Sequence, residues 1–185
     1  MTPKPDSVDR LPVGFEEEDL GGKFVRLEMG ETEGQFVPGD GAIDFAQFRK
    51  GFINSTPHAC AMGEELPDKV EGKIWFAFKF VSDDGNVGVL EIPWRSPKRE
   101  IYARRKGSGS FFGCMVRLTK SGSNARPSYS LEFLDGKSLD DDVLEGAQGT
   151  KVFLERMSDG ESPFVRDDDD EDDDDEDKDD DDDDD

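Results

Sequence analysis

The chain has few of the residues on which most enzyme chemistry rests: one histidine, His58, and two cysteines, Cys60 and Cys114, in 185 residues. Two cysteines in segments of different character make no disulfide framework and suit a reducing compartment, where both read as buried thiols. His58 and Cys60 lie two apart, but a zinc site shows paired ligands at both ends and this sequence does not. No metal and no cofactor are expected. No GxSxG, Walker-type or dinucleotide-binding glycine pattern stands beside a strand and a helix. Acid pairs such as Asp141 and Asp142, with no histidine partner, read as solvated charge. The expectation is a protein that is not an enzyme. Long apolar runs are lacking too: none approaches the ~18 residues of a membrane span, and the polar, proline-containing start lacks the apolar core of a signal peptide. A soluble cytoplasmic protein is expected, in the host cytoplasm if viral, and Asn54-Ser55-Thr56 is then a chance glycosylation match.

Acid is abundant and unevenly spread. Of the formal charge of −23, residues 167–185 carry −17, from eighteen acids and one lysine, which leaves −6 for residues 1–166. A run of like charge with no apolar residue cannot bury enough surface to offset chain entropy, so this segment is expected to be a disordered polyanionic tail. The rest is itself divided. Arg95, Lys98, Arg99, Arg104, Arg105, Lys106, Arg117, Lys120 and Arg126 face one acid, Glu100, for a local charge of +8 against −14 elsewhere in residues 1–166. Cations gathered into one segment of an anionic protein are the electrostatic footprint of a polyanion-binding surface. Trp94, Tyr102, Phe111 and Phe112 interleave with them, and aromatic platforms beside a basic groove are how single strands are held without sequence preference. Core packing competes for these rings, since most of fourteen phenylalanines in a chain this size are interior.

Periodicity organises the chain as a loose arm over 1–21, one domain over 22–157, and a linker and tail over 158–185. Residues 24–37 read as one long strand bent at Gly30-Glu31. Asp44 is expected to cap a short helix to Arg49 that buries Phe45 and Phe48 within a long connection over 39–72. Residues 74–81 alternate, with Ile74, Phe76, Phe78 and Phe80 on one face and Trp75, Ala77 and Lys79 on the other. The turn Asp83-Asp84-Gly85-Asn86 leads to a strand over 87–92. Ser96, Pro97, the Arg104–Lys106 cations and Gly107 mark a helix over 97–106. A second hairpin joins 114–119, with Cys114, Val116 and Leu118 inward, to 128–134, with Tyr129, Leu131 and Phe133 inward. Residues 150–155 are a candidate last strand. The fold expected is mainly β, a five-stranded OB-like barrel with a short helix between its third and fourth strands. Trp75, Lys79 and Arg117 are expected on one outer sheet face. With Trp94, Arg95, Lys98, Arg99, Tyr102, Arg104, Arg105, Lys106, Lys120 and Arg126, they form the expected nucleic-acid-binding set.

In Gly22-Lys23-Phe24-Val25-Arg26-Leu27, Gly30-Glu31 and Gly34-Gln35-Phe36, in its element order and in its acidic tail, the chain resembles phage-type single-stranded DNA-binding proteins. That resemblance implies an OB-fold that coats exposed strands in replication and recombination. It also implies a tail that competes with DNA for the groove and recruits replication proteins. Such tails commonly end in an aromatic or apolar residue. This one ends in an unbroken aspartate run from Asp179 to Asp185 with its nearest aromatic at Phe164, which favours charge competition over partner recruitment. Two other classes carry acidic segments: a chaperone for basic proteins, which has little use for a +8 patch, and a DNA mimic, which needs an evenly acidic surface. Single-stranded RNA stays open as a ligand, because nothing in the sequence bears on 2′-hydroxyl recognition.

Overall fold

The strand Lys73–Ser82 is buried from both sides. Phe76, Phe78 and Phe80 on one face and Ala77, Lys79 and Val81 on the other are all at most 3% exposed, as in a strand at the centre of a covered sheet. The computed structural model describes residues 24–95, 97–123 and 126–164. It contains strands β1 (Phe24–Val25), β2 (Gly30–Val37), β3 (Phe45–Ile53), β4 (Thr56–Cys60), β5 (Lys73–Ser82), β6 (Val87–Pro93), β7 (Met115–Ser123) and β8 (Arg126–Leu134), with helices α1 (Lys98–Ser108) and α2 (Asp141–Gly146). The arm expected over 1–21 and the tail expected over 167–185 lie outside the described residues.

The chain is mainly β, and its eight described strands form one open mixed sheet, not a closed five-stranded barrel. The main order is β1-β6-β5-β2-β7-β8. β6 pairs along one edge of β5, while the other edge is shared by β3, from Lys73 to Phe78, and β2, from Lys79 to Ser82. Closure would require β8 to reach the outer edge of β6. That edge is taken by β1, which pairs with it in parallel through Phe24↔Val89 and Val25↔Leu90. The single bent strand expected over 24–37 is thus two strands with different partners. At Gly34, β2 pairs with β5 and β7 at once. A Cβ there would lie 2.3 Å from both the Phe80 ring and the Val81 carbonyl oxygen, so only glycine fits this crossing.

The helix expected over 44–49 is strand β3. Its phenylalanines, three apart, point to opposite faces: Phe45 packs against the Phe76–Phe78 side and Phe48 against Ala77. The expected long connection therefore contains a hairpin, β3 with β4, joined by Asn54 and Ser55, both at positive φ. Helix α1 runs past the expected stop at Gly107 to Ser108, and Gly109 in the left-handed region closes it with its N–H on the Arg105 carbonyl.

One face of the sheet packs Phe36, Phe76, Phe78, Phe80, Leu90, Ile92, Val116, Leu118 and Leu131 against Ile101 of α1 and Phe111. The other face is covered by residues 139–164, which include the start of the expected linker over 158–185. Leu139 and Ala147 pack on Val81, and Val152, Leu154, Met157 and Phe164 pack on Phe48, Ala77 and Val89. No strand forms over 150–155. The segment turns through a 3₁₀ stretch, Leu154–Asp159, and packed structure continues to Phe164, whose ring meets Phe24 edge-on at 5.7 Å.

Asp40 ties this cover down. Its Oδ2 accepts from Lys79 Nζ at 2.8 Å and from the Val152 N–H at 2.8 Å, its own N–H donates to the Val152 carbonyl, and Lys151 Nζ stands 3.6 Å from Oδ1. Burial works against the Asp40 carboxylate. The Lys79 and Val152 hydrogen bonds and the charges of Lys79 and Lys151 outweigh it and hold its pKa below the ordinary value. The carboxylate's contribution to stability is therefore complete above the unfolded pKa of about 3.9 and is lost as pH falls through the lower folded value. Asp40→Ala strands a buried ammonium and a backbone N–H and is expected to cost about 3 kcal/mol. Lys79→Met leaves Asp40 with Val152, Lys151 and water, and is expected to cost under about 1 kcal/mol. Urea unfolding at neutral pH checks this order, and equal losses for the two variants would contradict it.

Candidate nucleic-acid interface

Helix α1 presents a basic outer side because its sequence repeats at helical spacing. Lys98, Tyr102, Arg105 and Lys106 fall at i, i+4, i+7 and i+8, Arg99 falls three before Tyr102, and all five are exposed. Arg95, exposed just before the helix, extends the row. Ile101 faces the core at 1% exposure. Among the described residues, no carboxylate forms an ion pair with Arg95, Lys98, Arg99, Arg105 or Lys106. Tyr102, 52% exposed, stands edge-on to Trp94 at 5.1 Å, and Trp94 lies against Phe76 at 4.4 Å. Trp94 is thus a half-buried support for the exposed ring.

The helix is poorly built for its own stability. Pro97 at its N-cap provides no side-chain hydrogen bond, Lys98 and Arg99 sit at the positive end of the helix dipole, and Gly107 weakens the last turn. Cations against the dipole cost up to about 1 kcal/mol each, so local helix energetics do not account for the position of Lys98 and Arg99, whereas Arg105 and Lys106 in the last turn suit the dipole.

Other members of the expected set lie elsewhere. Of the three residues expected on one outer sheet face, Trp75 and Lys79 lie on the covered face and Arg117 lies partly exposed beside β2 and β8. Lys79 is 3% exposed and paired with Asp40. Trp75 is half-buried between Phe48 and Pro93 in the sheet register, with Lys50 Nζ 5.2 Å from its ring. Arg117 is held by carboxylates: Glu33 at 2.6 Å, Glu132 at 3.4 Å and Glu31 at 3.7 Å. The Glu33 hydrogen bond and charge, aided by Glu31 and Glu132, raise its pKa still further. Arg104 turns inward, ion-paired to Asp135, donating to Cys114 Sγ at 3.2 Å and lying over the Phe133 ring at 5.2 Å. Lys120 donates to the Leu27 carbonyl at 3.0 Å. Arg126 is exposed but stands at the far end of β8, about 25 Å along the strand from the end that adjoins α1 at 3.3 Å per residue. Phe111 is core and Phe112 half-buried.

Both cysteines are buried, and burial pushes both thiols above their ordinary pKa, Arg104 offsetting this only in part at Cys114. They are poor nucleophiles at neutral pH. The sequence reading passed over Lys50 and Glu91, a buried ion pair at 6% and 8% exposure. The signal was there: once 45–53 is read as a strand, Lys50 falls in phase with the buried Ala46 and Phe48.

No family model, no curated protein and no solved structure matches this chain.

If the α1 row is the interface and the Arg117 cluster is not, Arg117→Gln should leave single-strand affinity within about twofold while lowering the melting temperature. Arg99→Glu combined with Lys106→Glu should weaken binding at least about tenfold, since each lost phosphate contact costs affinity and each new acid repels. Fluorescence anisotropy on the two variants decides between the surfaces, and the reverse order would return Arg117 to the interface.

Proposed function

We propose that the chain is a non-catalytic single-stranded DNA-binding protein whose contact surface is the outer side of α1 with its approach through Trp94 and Arg95. The observation that carries this reading is the row of five cations without an ion pair among the described residues, with the exposed Tyr102 ring set among them. Phosphates need the charges and an unstacked base needs the ring, whereas duplex DNA offers no free base face. The strand order supports it as well. The path β6-β5-β2-β7-β8, with a helix joining β6 to β7, has the order and helix placement of an OB-fold whose barrel is left open, and OB-folds are common binders of single strands. Together with the acidic tail, this suits coating of exposed strands in replication and recombination, as in the phage-type proteins the chain resembles.

Within α1 the one acid is Glu100, half-buried in the first turn, and Asp135 beside the helix is held by Arg104. Glu31, Glu33 and Glu132 gather around Arg117 on the wing formed by β2, β7 and β8. A folded surface divided this way does not suit a DNA mimic, which needs even acidity.

Anisotropy titration of the full chain against single-stranded DNA, duplex DNA and single-stranded RNA tests the reading. Single strands should bind in preference to duplex, with a log–log salt slope no steeper than about −3.5 if each of the five cations neutralises one phosphate at about −0.7 each. Tyr102→Ala should cost about 1–3 kcal/mol of binding, the worth of one stacked base, and leave the melting temperature unchanged. Equal affinity for duplex and single strand would sink the proposal. The net −17 of residues 167–185 makes that segment a tethered competitor for the row. Truncation after Arg166 is expected to tighten binding most at about 50 mM salt, where screening is weak. No gain there would assign the tail to partners or solubility.

A further inference from the structure

On the covered face, a cavity of about 290 Å³ opens between the β3–β4 hairpin and the turn at 157–161. Its walls are mostly apolar, from Phe24, Phe48, Pro57, Ala59 and Met157, with His58 and Glu161 at its lining, and it also reaches the Lys50 and Glu91 ion pair. Two charges at 6% and 8% exposure cost several kcal/mol each to desolvate, and apolar residues of similar volume would commonly do as well for stability. Among the described residues, the pair makes one hydrogen bond, Lys50 Nζ to Glu91 Oε2. The ammonium also lies over the Trp75 ring, and the second carboxylate oxygen and the ammonium protons not given to Glu91 keep hydrogen-bonding capacity beside the cavity. A donor and an acceptor side by side between apolar walls fit a flat heterocycle that carries an acceptor beside donors on one edge. Guanine has this edge, with O6 next to N1–H and N2–H.

We propose that this cavity takes one unstacked nucleobase of the bound strand, with guanine preferred through Lys50 to O6 and Glu91 to N1–H and N2–H. Reading an extruded base by its Watson–Crick edge between apolar walls is how proteins recognise bases taken out of the stack. The volume suits one base, corresponding to about ten waters at roughly 30 Å³ each. The cavity lies on the face of the sheet opposite α1, so a strand on α1 reaches it by passing around the end of β5 and β6, where Trp75, Pro93 and Arg95 lie. Glu91 is two residues before Pro93, which pairs with Trp75. Trp75 lies under Lys50 Nζ, and Arg95, which begins the basic row, follows two residues after Pro93. Exposed Lys73 pairs with Lys50 in the register and adds a cation at the same end of the sheet.

The site rests on the single-strand reading, but its test is separable from it. Guanosine is titrated into the ¹⁵N-labelled full chain, with adenosine, cytidine, thymidine and N-acetylphenylalanine amide as comparisons, and in parallel oligo(dT) and a guanine-containing oligomer of equal length are titrated by anisotropy. Guanosine should shift the amides of Ala59, Gly160 and Glu161 saturably, and the guanine-containing oligomer should bind at least about fivefold tighter than oligo(dT). Ala59→Leu, which fills the cavity and leaves the ion pair intact, should abolish both effects and retain oligo(dT) binding and the melting temperature. Lys50→Met combined with Glu91→Gln removes both charges without stranding either, and should abolish the guanine preference in the same way. Guanosine shifts that are absent or fall elsewhere, while oligo(dT) still binds, overturn the pocket and leave the α1 reading standing. Equal occupancy by the phenylalanine amide also overturns it, in favour of a peptide side chain. Guanosine binding without any oligonucleotide binding would keep the pocket and overturn the strand reading.

Discussion

The Lys79 ammonium, at 3% exposure in the centre of the sheet, sets a demand that the rest of the architecture meets. A buried charge of this kind is tolerated only where a carboxylate and further hydrogen bonds replace water. Asp40 supplies both, because the chain leaves β2 at Val37 and turns directly over the strand that carries Lys79. The same carboxylate takes the Val152 N–H, and Asp40 returns its own N–H to Val152. One residue thereby anchors a segment 112 positions away, and Val152, Leu154, Met157 and Phe164 close over Ala77 and Val89. The cover so held keeps the apolar face of β3, β5 and β6 from solvent.

Covering this face decides what is left for function. Residues 139–164 cover the second face over β3, β5 and β6, and α1 and Phe111 cover the first, so little of the sheet's centre stays free for a ligand, while the side of β8 exposed at Arg126, Ser128, Ser130 and Glu132 lies on the acidic wing. The exposed residues of α1 remain. Its cations lie on the solvent side of a helix anchored by Ile101 and by Arg104 through Asp135 and Phe133. The inward arginine and the outward cations divide the labour: one positions the helix, and the others are available to a polyanion.

Much of the architecture was legible because it is written locally. β5, β6, β7, β8 and α1 follow from alternation, turn residues and capping within each segment. β3 was not legible: Phe45 and Phe48, three apart, mimic a helical face, and the glycine at 51 and the lysine at 50 blur the alternation that marks a strand. Residues 139–164 hid for a different reason. Their apolar side chains are few and set by 3₁₀ turns with no steady period, so the segment reads as polar linker although it seals a core. The candidate interface divides in the same way. The exposed row on α1 could be read from spacing alone. The fates of Lys79, Arg104, Arg117 and Lys120 depend on partners 39, 31, 84 and 93 positions away, which no local pattern contains.

Net charge and local charge act on different scales, and this reconciles an acidic protein with the proposed ligand. At physiological salt the Debye length is about 8 Å, shorter than the roughly 12 Å that the helix row from Lys98 to Lys106 spans at 1.5 Å per residue. A phosphate resting on that row is governed by the cations within one screening length and feels little of the carboxylates around Arg117 on the β2-β7-β8 wing. During approach the balance reverses, because the total of −23 repels a polyanion before contact. The division therefore slows encounter, while the carboxylates of the wing weaken the contact itself little. A single strand should be held through a low dissociation rate set by phosphates and Tyr102, with electrostatic steering contributing little to its arrival.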